Sequence, residues 1–148
     1  MPYGSLALWG LGRSPSRFWK MAESDNILTK LHELLLYVVP VLAKFPRDHK
    51  FTLGDRVLLR LLDVQECCVM AYYGRDKTGP LTEANLHLEM ARHQVRLAHD
   101  LKLVSHHQYE VLAGKMEECG RMVGGWLKSS ASRRKPPPSG HENLQPPV

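Results

Sequence analysis

Two short stretches carry the residue types of acid–base and metal chemistry: His99-Asp100 and His106-His107. A helical di-metal carboxylate centre would need Glu-x-x-His pairs on two helices. Glu33, Glu66, Glu83, Glu89, Glu110, Glu117 and Glu118 all lack a histidine three residues on. The histidines therefore read as polar residues near a helix end and at a helix start. The three cysteines, Cys67, Cys68 and Cys119, are an odd set with two adjacent, unlike a disulfide framework or a zinc site. They read as buried thiols in a reducing compartment. With no nucleophile elbow and no phosphate-binding glycine loop after a strand, no catalytic residue, metal ligand or cofactor is assigned. The expected class is a non-enzyme.

Arginine supplies a different chemistry. Arg56 and Arg60 lie one helical turn apart, as do Arg92 and Arg96, with His99 close to the second pair. Arg121 and Lys128 share the polar side of a later helix. A guanidinium is a planar fork of donors that matches a phosphate, so these six residues are the candidate contacts to the phosphates of a nucleic acid. The competing reading is a solvated face whose arginines pair with neighbouring acids such as Asp63 and Glu89.

Four helical segments must position these groups. The first, about 25–44, places Ile27, Leu31, Leu34, Leu35, Val38 and Leu42 on one side, with a kink expected at Pro40. "FPRDHKF" reads as a turn, and Thr52 or a neighbour as the cap of the second helix. The expected core stripe there is Leu58, Leu61, Leu62, Cys68, Val69 and Tyr72. "GRDKTGP" reads as a loop, followed by a third helix from about Leu81 to Lys102. Ser105 and Gln108 have capping-box spacing and open the fourth, with Tyr109, Leu112, Ala113, Met116, Val123 and Leu127 facing inward. Four helices on short connections predict an all-α, antiparallel up-down-up-down four-helix bundle.

The third helix carries apolar residues on two sides. At about 100° per residue, Leu81, Ala84, Leu88, Ala91, Val95 and Ala98 share one face, and Leu86, Met90, Leu97 and Val104 fall nearly opposite. A bundle helix needs only one apolar face. The second set is the expected oligomer interface. Gly120, Gly124 and Gly125 beside Trp126 then read as points of close helix approach, or as the end of the fourth helix.

The 148 residues form one domain at most, 43% apolar and 24% charged. The expected division is an N-terminal extension 1–23, a bundle 24–130, and a disordered Pro/Ser/basic tail 131–148. Met21 is a second candidate start of translation. No stretch has the length of a membrane span and no signal peptide is evident, so a cytoplasmic protein without membrane partners is expected. The net charge of +5 resides mostly at the ends. Residues 1–23 hold three basic residues against one acidic, and residues 129–148 the same, which leaves +1 for 24–128.

"KFPRDHKFTLGDRV", "ANLHLEMARHQVRLAHDLKLVSHHQYE" and "GRMVGGWLKS" together resemble the accessory variability determinant (Avd) of diversity-generating retroelements. That family also includes the four-helix-bundle proteins of ribosomal RNA intervening sequences. The resemblance spans about residues 25–130 and implies a homopentameric, barrel-like assembly. It also implies a partnership with the retroelement's reverse transcriptase and with template RNA or RNA/cDNA, in support of mutagenic cDNA synthesis. An intervening-sequence bundle of unknown role and a protein-only oligomeric scaffold are the alternatives. The six basic residues come from helical geometry and are not carried over from the family.

Overall fold

The fold is that of a computed structural model describing residues 26–134. The expected N-terminal extension, the second start at Met21 and the tail beyond Arg134 lie outside the described residues. Four long helices follow in order: α1 (Ile27–Ala43), α2 (Asp55–Tyr73), α3 (Thr78–Asp100) and α4 (His106–Arg134). Among the described residues there is no strand. Each helix packs on its sequence neighbour, and α1 closes the square against α4, as an up-down-up-down bundle requires. The core is wholly apolar among the described residues, with Leu31, Leu34, Leu61, Leu81, Leu88, Leu112 and Met116 fully buried.

Local chemistry sets the helix ends. Asn26 caps α1, its side-chain oxygen accepting from the Leu28 N–H at 3.2 Å. The helix continues through Pro40 to Ala43. Pro40 and Leu36 are both exposed, so water can reach the Leu36 carbonyl that Pro40 leaves without its helical donor. The stretch expected to be a turn is mostly helical instead. Arg47–His49 forms one α-turn and Lys50–Gly54 a π-turn that runs directly into α2. Thr52 therefore does not cap; its hydroxyl donates backward, to the Asp48 carbonyl at 3.2 Å. Gly54 fits beneath Phe45, whose ring would lie 3.5 Å from a Cβ at that position.

The loop before α3 is shorter than its composition suggests, because Thr78, Gly79 and Pro80 are already helical. Proline is tolerated there, since first-turn N–H groups have no helical acceptor. α3 then ends earlier than expected, at Asp100. Leu103 N–H bonds to the Ala98 carbonyl and Lys102 N–H to that of His99, both at 2.9 Å, with Lys102 at φ 60°. This is a Schellman termination with lysine in the left-handed position usually given to glycine. Ser105 and Gln108 complete the turn as a reciprocal capping box, at 3.0 and 3.1 Å. α4 runs on to Arg134, four residues past the expected end of the bundle.

The second helix is rotated from its expected phase. Val57, Leu61, Val64, Cys67, Cys68 and Ala71 are buried, whereas Leu62 and Val69 are 40% and 37% exposed. Leu58 and Tyr72 are half-buried. The cysteines are buried thiols, as their spacing suggested. Burial pushes Cys68 up to about 12 and Cys119 up to about 11, and raises Cys67 as well.

Thiolate is the reactive form, so Cys68 and Cys119 should resist a disulfide reagent at pH 8 in the folded protein, and all three thiols should react at once in guanidinium. Between the ordinary value of 9.0 and the raised native values, the folded chain holds more protons than the unfolded one. Folding stability should therefore fall as pH rises from about 9, which denaturant titrations at stepped pH will read.

Candidate functional site

The surface that could meet a partner divides into an apolar part and a basic part. On α3, Leu86 is 55% exposed and Leu97 49%, both opposite the buried stripe, and Met90 is half-buried on the same side. Val104 does not belong to this face: it is only 6% exposed. α3 has already terminated at that point, so the helical angle no longer applies, and Val104 takes the inward position just before the Ser105 cap. Leu101, 47% exposed, extends the outward set instead.

α2 carries a second outward apolar face that the sequence reading missed. Leu59, Leu62, Val69, Met70 and Tyr73 are all exposed and fall together at about 100° per residue, opposite the core residues of that helix. Two of the five, Leu62 and Val69, stand in the expected core stripe, and Leu59, Met70 and Tyr73 belong to no expected face. When apolar residues lie on both sides of a helix, periodicity gives the axis of the two faces and does not say which one is inside. On α1, Leu36 and Val39 are exposed, and Val39 joins Leu42, Ala43 and Leu58 in lining a shallow groove beside the π-turn.

The six basic residues split into two groups. Arg60 is held by its own bundle, 3.0 Å from His87 Nδ1 across the α2–α3 seam and 3.9 Å from Asp63. Arg92 is also engaged: it pairs with Glu89 and donates to the Met116 carbonyl of α4 at 3.1 Å. For these two, pairing with the nearby acids Asp63 and Glu89 is what the structure brings together. Arg56, Arg96, Arg121 and Lys128 remain exposed. Arg92 reaches across the α3–α4 seam, whereas Arg121 and Lys128 lie on the side of α4 opposite its buried stripe, and Arg56 sits apart at the start of α2.

The glycines resolve differently from one another. A Cβ on Gly120 would collide with the Arg92 guanidinium and stand 3.5 Å from Leu88, so the missing side chain admits Arg92 across the α3–α4 seam. Gly114, Gly124 and Gly125 face open space within the protomer. Neither Gly124 nor Gly125 ends the helix. Trp126 is half-buried against the core and lies 5.9 Å beneath the Lys77 ammonium, which also donates to the Ala71 carbonyl at the end of α2. Arg134 reaches Asp76 at 3.1 Å, tying the last turn of α4 to the α2–α3 loop.

The histidine stretches noted at the outset also come together. His99 stacks on Tyr109 with ring centroids 4.3 Å apart, and its Nε2 lies 3.5 Å from His106 Nδ1. No helix among the described residues is long and apolar enough to cross a membrane.

These features define a class first: an all-helical, four-helix-bundle protein with apolar residues outside as well as inside two of its helices. The particular family follows from comparison. A model of the bAvd-like family matches residues 26–130, and the chain belongs to that family. Among curated proteins, none matches the chain.

The Arg92–Gly120 fit has a measurable signature. Gly120→Ala must push the flexible Arg92 guanidinium off the Met116 carbonyl, a loss that alanine's better helix propensity offsets, so the net change should stay within about 1 kcal/mol. In an Arg92→Ala background the same substitution should stabilise by about 1 kcal/mol, and the difference between the two backgrounds, read from urea midpoints, is the coupling.

Proposed function

We propose that the protein is a non-enzymatic accessory subunit of a diversity-generating retroelement, assembling as a homopentamer that binds the reverse transcriptase and its template RNA or RNA/cDNA. Catalysis then belongs to the polymerase, and this chain supplies a scaffold. Membership of the bAvd-like family supports the accessory role. The observation that supports the assembly is the pair of outward apolar faces on α2 and α3, because exposed apolar residues gathered on one face are the kind of surface a protein partner covers. Covering them with further copies of the chain repeats each exposed cation around a ring, which multiplies the modest charge of a single bundle.

Within this reading the RNA contacts are Arg56, Arg96, Arg121 and Lys128, the exposed members of the original six. Arg60 and Arg92 position helices and serve the RNA surface only indirectly.

Phosphate contacts release counterions, so RNA affinity should fall steeply with salt, with a log–log slope of about 0.7 per contact on a single strand. Arg96→Glu combined with Arg121→Glu should weaken RNA binding at least tenfold and flatten that slope, with the oligomer mass unchanged. Undiminished, salt-dependent binding by the double variant would move the RNA site off this surface. Salt-insensitive behaviour with no RNA bound by the parent protein would instead favour a protein-only scaffold.

A further inference from the structure

The turn between α3 and α4 holds a cluster that the accessory role does not use. We propose that His99 and His106 form a two-histidine site for a divalent transition-metal ion of the zinc class, binding through His99 Nε2 and His106 Nδ1.

The argument begins with how firmly the two rings are placed. The Schellman bonds closing α3 and the reciprocal capping box opening α4 leave little freedom between Ala98 and Gln108. His99 is further held by stacking on Tyr109, at an interplanar angle of 21°. The two imidazoles face each other with centroids 5.6 Å apart and a tilt of 48°.

The outer nitrogens both face carboxylates. His106 Nε2 is 3.0 Å from Glu110 Oε1, and His99 Nδ1 is 3.7 Å from Asp100 Oδ1. A neutral imidazole has one N–H and one lone pair. Glu110 can take the His106 Nε2–H, which leaves the His106 Nδ1 lone pair facing inward, whereas Asp100, at 3.7 Å, is beyond hydrogen-bond reach of His99 Nδ1. Without metal, His99 Nε2–H donates to His106 Nδ1 across 3.5 Å; a bound cation takes the place of that proton, which moves to His99 Nδ1. Zinc–nitrogen bonds of about 2.0–2.1 Å at the tetrahedral angle set two nitrogens about 3.4 Å apart, close to the observed gap. Glu110 then stands where a metal-bound histidine usually finds the partner that fixes its tautomer.

Two neutral imidazoles select zinc, copper or nickel over magnesium and calcium, which prefer oxygen donors. Among the described residues no group of three or more His, Cys, Asp or Glu is set to hold a metal, so water completes the coordination. The ligands come from different helices, and the ion therefore fastens the α3–α4 hairpin and favours the native state by mass action.

The test is calorimetric titration of the full chain with zinc chloride, alongside thermal melting in zinc or in magnesium. One zinc ion per chain is expected, with Tm rising with zinc and unmoved by magnesium. His106 is largely exposed, so His106→Gln should fold normally and lose at least about tenfold in zinc affinity; Glu110→Gln should lose about tenfold through the outer shell. His107→Gln should bind as the parent does. The proposal is overturned if the parent protein takes up no zinc, or if His106→Gln binds zinc as tightly as the parent.

Discussion

Covering apolar surface on two opposite sides of the same helices is the constraint from which the rest of this molecule follows. The four-helix core takes one side of α2 and α3 and closes without a buried charge among the described residues. It leaves Leu59, Leu62, Val69, Met70 and Tyr73 on α2, and Leu86 and Leu97 on α3 with Leu101 just past its end, in contact with water. Burying such side chains stabilises by about 25 cal/mol per Å² of apolar area, so repeated contacts between copies amount to a substantial driving force. A bundle patterned this way leaves both faces for a partner to cover, and the proposed ring supplies a way to cover them.

The seam between α3 and α4 has a different logic, because it is fixed by polar groups at its middle and both ends. In the middle, Arg92 crosses the gap left by Gly120 and bonds to the Met116 carbonyl. At one end, the Lys77 ammonium lies over Trp126 and Asp76 meets Arg134; at the other, His99 packs on Tyr109 beside His106. This pinning bears on function, since Arg96, Arg121 and Lys128 lie exposed on the two helices it joins. Arg60 and Arg92 are thus engaged within the bundle, and the exposed arginines are the ones left for the proposed RNA contacts.

How far all of this could be read from residues alone varied with the physics involved. The inward stripe of α3 was legible because Leu81, Ala84, Leu88, Ala91, Val95 and Ala98 keep one phase along the whole helix, and that of α1 nearly so, with Val41 buried in place of Leu35. The capping box at Ser105 was legible because it depends on two side chains three residues apart and on nothing distant. The phase of α2 was not, since both sides are apolar and only contact with α1 and α3 decides which turns inward. Val104 was misplaced by continuing a helix past a termination written in backbone hydrogen bonds around Lys102, where no glycine announces it. The helical lead-in at 47–54 was hidden by Pro46, which suggests a break yet stands immediately before the first helical residue, Arg47. Of the six basic residues, the pairing of Arg60 with Asp63 and of Arg92 with Glu89 was legible as the alternative reading because those acids sit one turn away, whereas the contacts to His87 and the Met116 carbonyl were not, since they come from other helices.

The account rests on the claim that the outward apolar faces are covered by copies of this same chain. Light scattering on the freshly purified full chain, in dilute solution and moderate salt, tests that claim most directly. The predicted result is a single species of five times the 16.8 kDa chain mass. A stable 16.8 kDa monomer would contradict it, leaving the exposed leucines of α2 and α3 without the partner argued for them.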